Sequence, residues 1–382
     1  VTTNEQILDA YIRHQIYILR YAGGLRNEVV PFLHITDARL EEIILAYIGK
    51  AGENRILTGV KGRKWQTEFE KALHSLRDPA WGQVSQNIID EMRAFAVNEA
   101  AAGAAVIEGA VPVILNLSLP PVAQLVGIVN SQPFEGRTLK KWLEKNKMDD
   151  VQRILTRAKI GIVQGQTPTQ IAADIVGEKK IGTKAYRDIE SVLLTLTNGI
   201  QQEAKQALYQ ANQDIIKTEL FVATLDSRTT MVCMGNDGKT FKRGDGPIPP
   251  LHFRCRSLRV PVINAKNLGD RPYNSATEKQ LVTDYAEQNN LGKITRVADL
   301  PMEHEKRYLR FARAEMPKYV GTVPATTSYN TWLKRQTKDF QDDVLGPSRA
   351  KIFRKGGVSL DRFTARSGDM LTLDELKKKG IG

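Results

Sequence analysis

The chain has 382 residues, 41% of them hydrophobic and 26% charged, with 55 Lys and Arg against 43 Asp and Glu and a formal net charge of +12. This length exceeds the usual single core, so two or three domains are expected, and the basic excess favours polyanionic partners, nucleic acid first, then an acidic protein surface or anionic lipid. Two cysteines exclude a disulfide scaffold, and "VTTNEQILDAYIRHQ" lacks the pattern of a secretory signal, which makes a reducing cytoplasm the expected setting.

From the N-terminus, Ile7, Leu8, Tyr11, Ile12, Gln15, Ile18 and Leu19 recur at helical spacing, and Gly23-Gly24 ends the pattern. Asp37 caps a second amphipathic stretch through Leu40, Ile43, Ile44 and Tyr47, closed by Gly49. Trp65 to Leu76 repeats the pattern, and Val84 to Glu108 reads as a long helix whose "NEAAAGAAVIEGA" face admits a close neighbour. Residues 1–110 are therefore expected to form a helical N-terminal domain. The apolar run at 109–129 is interrupted by Pro112, Pro120 and Pro121, each of which removes a donor and clashes with a continuing helical turn. Residues 111–134 are read as an extended, proline-broken connector, not a membrane span; exposed to solvent, it would be a docking surface.

Regular structure restarts in "GRTLKKWLEKN" with Leu139, Trp142 and Leu143, and helical character continues from Val151 to Val163. In "QGQTPTQIAADIVGEKK" Thr167 suits the cap, Pro168 the first helical position and Gly177 the end. A long helix is expected from about Tyr186 to Leu220. Periodicity then changes: "LFVATLD", "GKTF" and "SLRVPV" read as three short strands, with Asn236-Asp237-Gly238 as a tight hairpin turn. The fold class is mainly α with a small antiparallel β-sheet (α+β), and residues 135–262 form its central helix-plus-sheet domain. Residues 263–300 are polar and read as a linker.

Residues 301–382 carry 17 Lys and Arg against 10 Asp and Glu, an excess of seven. Tyr329, Trp332, Phe340, Phe353 and Phe363 alternate with basic residues, a pattern met equally by a small core with a charged wet face and by a DNA groove. Arg349, Lys351, Arg354 and Lys355 are the candidate phosphate contacts, and Gly356-Gly357 would expose backbone amides beside the last two. "LDELKKKGIG" reads as a frayed last helix.

Both cysteines lie in residues 224–257, "TLDSRTTMVCMGNDGKTFKRGDGPIPPLHFRCRS". A sheet this small often needs a staple. Cys233, His252 and Cys255 could bind zinc, with Asp226, Asp237 or water as fourth ligand. The same residues are met by two buried thiols beside a hydrogen-bonded histidine. A Cys233–Cys255 disulfide is disfavoured in a reducing compartment. A nucleophilic Cys-His pair, its thiolate favoured by Arg254 and Arg256, lacks a recognisable residue to orient His252.

Asp226, Arg228, Thr229, Cys233, Asp237, Gly238, Lys239, Phe241, Pro249, Pro250, His252, Cys255 and Arg256 follow, in order, a pattern that resembles the signature of phage minor head proteins of the Mu F / SPP1 head-morphogenesis family. The resemblance covers roughly residues 135–365. Many members carry further cysteines where this chain has Asn236 and Ser257, which leaves a reduced, three-residue version of their cluster. The resemblance implies a structural, non-enzymatic component of a tailed-phage head, added with the portal during procapsid assembly. It implies portal and capsid proteins and double-stranded DNA as partners, no membrane, and a place in the head interior after assembly in the host cytoplasm. The alternative is a DNA- or RNA-cleaving toxin-like enzyme carried in a head protein. Within the motif, Asp226 is expected to take a two-point hydrogen bond from Arg256 or to act as an ordinary turn cap. The Pro249-Pro250 turn is expected against Asp226 and Arg228.

Overall fold

The computed structural model describes residues 2–52, 59–176, 181–263, 269–355, 358–365 and 369–381. Gly177, Gly356 and Gly357, which figure in the sequence reading, lie outside these residues. The described chain is mainly helical with two small antiparallel sheets, the expected class.

Helix α1 (Thr3–His34) starts at a reciprocal cap in which Thr2 accepts the Glu5 amide and Glu5 accepts the Thr2 amide. It runs straight through Gly23-Gly24, contrary to the expected stop. Each interior glycine costs about 1 kcal/mol relative to alanine. Buried Leu25, Val29 and Leu33 beyond them outweigh that, at about 1.5–3 kcal/mol for each fully buried side chain. Helix α2 (Asp37–Gly52) likewise continues past Gly49. The two helices expected between Trp65 and Glu108 are one, α3 (Gly59–Ala110), with Pro79 inside it beside buried Ala80 and Trp81.

The connector is only partly extended. Its prolines all fall outside helices, and Pro121 becomes the N-cap of α4 (Val122–Ser131). Helix α5 (Leu139–Val163) joins the two stretches read separately, and α6 (Pro168–Ile175) has the expected Thr167 cap, completed by Gln170. Helix α7 (Ile181–Ala211) stops nine residues short of Leu220. There Asn212 turns its side-chain amide onto the Leu208 and Ser118 carbonyls and accepts the Ser118 amide, clamping the connector onto the helix end.

Strand β1 (Thr218–Val222) is central in a three-stranded sheet, flanked by β2 (Thr240–Lys242) and β3 (Leu258–Val262), both antiparallel to it. No tight hairpin joins β1 to β2, because helix α8 (Met231–Asn236) lies between them. Asn236-Asp237-Gly238 ends that helix, with Gly238 at φ +79°. Residues 263–300, read as a linker, contain β4 (Asp270–Asn274) and α9 (Glu278–Gln288). Beyond α10 (Met302–Glu315), β5 (Val320–Pro324) pairs with β4 as a second sheet. The chain closes with α11 (Tyr329–Lys334), α12 (Lys338–Leu345), α13 (Pro347–Lys355) and α14 (Leu373–Lys378).

The largest core is shared by α1, α3, α4, α5 and α7, so residues 1–110 bury their apolar stripe against the helices that follow. A second core gathers Tyr329, Trp332, Phe340, Phe353 and Phe363 with Leu225 and Met234. These aromatics are interior, which removes them as a stacking surface for DNA. The last helix is docked: Thr372 and Glu375 form its cap, and Leu376 and Ile381 are buried.

Candidate metal centre and the charged lock around it

Helix α7 organises the site. Along "TLTNGIQQ" the polar residues Thr195, Thr197, Asn198, Gln201 and Gln202 are all buried. Thr195 Oγ1 accepts the Arg254 amide at 2.8 Å, and Asn198 Nδ2 donates to the carbonyls of Cys255 (3.0 Å) and Ser257 (3.4 Å). The segment that brings Cys255 to the sheet is thus pinned residue by residue to a helix. The sequence reading expected that helix but assigned none of its residues to the site; a run of polar side chains on its packed face was the available signal. The Pro249-Pro250 pair, cis in this structure, also lies on α7, where it lines a pocket with Leu196, Gly199 and Ile200. A Cβ on Gly199 would come within 3.1 Å of Pro250, so a glycine at that point of the helix admits the turn.

Cys233, in α8, and Cys255, before β3, are buried with Phe221 and Ala223. Their sulfurs are 3.7 Å apart, and His252 Nε2 lies 3.3 Å from the Cys233 sulfur. The ligating atoms of Cys233, His252 and Cys255 all lie within 4.8 Å of one another. His252 Nδ1 donates to the Phe253 carbonyl at 2.8 Å, the tautomer that leaves Nε2 with a lone pair toward the sulfurs. The hydrogen bond with Cys255, with burial, raises the Cys233 pKa; the hydrogen bond with Cys233 lowers that of Cys255 against the effect of burial, aided by His252. Two soft sulfurs and an imidazole suit a thiophilic divalent metal, and this is the donor set of a three-ligand centre. Neither carboxylate suggested as fourth ligand belongs to the group. With Cys255 only 1% exposed, its sulfur has the setting of a ligand or packed thiol rather than of an accessible nucleophile.

Both carboxylates are bound to arginines instead. Asp226 takes Arg256 Nη1 at 2.6 Å and Nη2 at 2.9 Å, one guanidinium nitrogen to each carboxylate oxygen. The same carboxylate accepts the Arg228 amide and the Thr229 hydroxyl, so Asp226 is a turn cap and an ion-pair partner at once. It lies in the loop after β1, not on the strand, and the Arg228 side chain is solvent-exposed. Burial pushes the Asp226 pKa up, but the hydrogen bonds and charge of Arg256, with Arg228, hold it below the usual carboxylate range. Asp237 is buried against Arg271, whose Nη1 is 3.0 Å from both its oxygens, and it also accepts the amides of Ala223 (2.7 Å) and Tyr329 (2.6 Å). Arg271 comes from the segment read as a linker, and sequence reading missed it. One arginine per carboxylate thus ties β1 to the approach to β3 and to the second sheet.

The candidate phosphate contacts divide. Arg349 is half-buried and donates to the Leu371 carbonyl, and Arg354 pairs with Asp342 at 2.7 Å, so both are engaged within the fold. Lys351 and Lys355 are exposed on α13. Lys377, Lys378 and Lys379 add exposed positive charge at the end of the chain, within a segment read only as a frayed helix. No helix of the described residues is long and apolar enough to cross a membrane. No protein-family model, curated protein or solved structure matches the chain.

Proposed function

We propose that the chain is a structural minor head protein of a tailed bacteriophage, of the Mu F / SPP1 head-morphogenesis type, incorporated with the portal into the procapsid. The observation that carries this reading is the use made of the motif. Cys233, Cys255, Asp226, Asp237 and Arg256 are directed at one another or at neighbouring elements, the arrangement of an architectural lock rather than of an open reactive cleft. Zinc is the metal that the Cys-His-Cys group suits best, held by Cys233, His252 and Cys255, and when bound it supplies a cross-link between α8 and the approach to β3. The exposed lysines of α13 and α14 support sequence-independent contact with packaged DNA.

Quantitative mass spectrometry of purified heads, fractionated from tails, tests the assignment. A small fixed number of copies in heads is expected, and absence from heads overturns it. A plasmid-nicking assay with added Mg²⁺, Mn²⁺ or Zn²⁺ tests the nuclease alternative; the head-protein reading expects intact supercoiled plasmid.

A further inference from the structure

A cavity of about 270 Å³ lies between α1 and the sheet, walled by Ile12, Ile16 and Leu19 of the helix and by Val222 and Leu258 of β1 and β3. Its polar lining consists of Gln15, Thr224, Asp226, Arg228, Arg256 and Arg271, and the rest is apolar. Gln15, in the same wall, carries a buried amide oxygen without a hydrogen-bond partner among the described residues. An open cleft of about 780 Å³ adjoins this cavity, since Asp226 and Arg228 line both. The cleft continues to Leu309, which is 53% exposed on α10.

Arg228 stands where the two spaces meet. Its side chain is 79% exposed, and its ionic neighbour among the described residues is Asp226 Oδ2 at 3.7 Å, a carboxylate already engaged on both oxygens by Arg256. The guanidinium therefore keeps its donor fork available beside an apolar hole. Ile16, 49% exposed on the α1 side, completes the rim.

We propose that this groove is a docking site for an acidic, apolar segment of a partner protein. A branched or aromatic side chain enters the cavity between α1 and the sheet, and a neighbouring carboxylate pairs with Arg228. Size and charge decide the occupant. Small-molecule sites run to about 300–1,000 Å³ and enclose most of the ligand, whereas this space is smaller and continuous with an open cleft, the form taken by a pocket for one anchor residue. A chain with a net charge of +12 selects acidic partners at encounter, and a guanidinium matches a carboxylate at two points. Nucleic acid brings the negative charge but no branched apolar side chain for the cavity.

The test uses the full chain and the dye 1-anilinonaphthalene-8-sulfonate, which combines an apolar ring system with one anionic group. Saturable binding of one equivalent is expected, weakened about tenfold by Arg228→Glu, the loss of one charge-assisted contact, and abolished by Ile16→Asp. Circular dichroism and thermal melts of both variants should match the parent, because both side chains are at the surface; Arg228→Gln is the milder second variant. An acetylated tetrapeptide alternating leucine or phenylalanine with aspartate should displace the dye, and its lysine counterpart should not. Dye binding unchanged in both variants, equal displacement by the two peptides, or displacement by neither would each overturn the proposal. None of these readouts depends on the assignment to a phage head.

Discussion

Arg256 grips Asp226 at two points, Nη1 to Oδ2 at 2.6 Å and Nη2 to Oδ1 at 2.9 Å, and so ties the loop leaving β1 to the segment entering β3. Removing Asp226 takes the carboxylate from a mostly buried Arg256, and removing Arg256 leaves Asp226 with the longer Arg228 contact and its loop hydrogen bonds; breaking a buried pair costs about 3–5 kcal/mol. Asp226→Asn and Arg256→Gln should each lower the melting temperature, and a double-mutant cycle should show strong coupling. Arg228→Ala should change stability little. The pH dependence has a definite sign: the folded pKa of Asp226 is depressed, so its stabilisation is full above the unfolded value of about 3.9 and is lost as pH falls through the folded value. Urea midpoints for parent and Asp226→Asn should converge as pH is lowered through that range.

For the cluster of Cys233, His252 and Cys255, one equivalent of zinc is expected per chain, with a rise in melting temperature on loading and a fall with chelator. Cobalt substitution should give thiolate charge-transfer absorption, weakened in Cys255→Ser and in Cys233→Ser. A chain that takes up no metal and melts at the same temperature with zinc or with chelator would assign the cluster to packed thiols alone.

Lys205 is 1% exposed, its ammonium lies 4.1 Å from the centre of the Tyr11 ring, and its Nζ has no hydrogen-bond partner among the described residues. Burial lowers its pKa to about 7, against a partial counter-effect from Glu99. The unfolded chain, with a lysine pKa of about 10.4, holds a proton that the folded chain releases across the window from about 7 to about 10, so this group makes stability rise with pH there. Lys205→Met should therefore raise the melting temperature at pH 7 and flatten the pH dependence between 7 and 10. An unchanged pH profile would show that the ammonium finds a partner in solution.

Sequence patterning revealed the elements whose neighbours in the chain decide their form. The Thr167 cap, the three strands and the pairing of Asp226 with Arg256 were all legible, since each rests on spacing or complementary chemistry. What failed depended on distant residues. Gly23-Gly24 is helical because Leu25, Val29 and Leu33 are buried, and the helix before β1 stops at Asn212 because that side chain reaches Ser118. Arg271 was invisible as the partner of Asp237 because its segment is polar in composition and becomes buried only when β4 pairs with β5. The Cys-His-Cys group was legible in its three members; of the two carboxylates suggested beside it, Asp226 was also legible as the partner of Arg256, whereas nothing in spacing reveals that Arg271 engages Asp237.

The last prediction concerns DNA, where the structure narrows the candidates. Arg354 Nη1 donates to Asp342 and Arg349 Nη2 to the Leu371 carbonyl, so each guanidinium is anchored within the fold by one of its nitrogens. Lys351 and Lys355, exposed on one helix four residues apart, carry no such anchor among the described residues and lie on neighbouring turns. If they meet DNA, each neutralised phosphate releases counterion, and binding falls with salt at about 0.9 logarithmic units per contact. Lys351→Gln with Lys355→Gln should therefore flatten the salt slope by about two, weaken binding equally on unrelated duplexes, and leave the melting temperature in place. Arg354→Gln should do the reverse, lowering stability through Asp342 while leaving the slope nearly unchanged. A slope indifferent to both lysines, with head assembly failing in the same variant, would assign this positive face to an acidic portal or capsid surface instead.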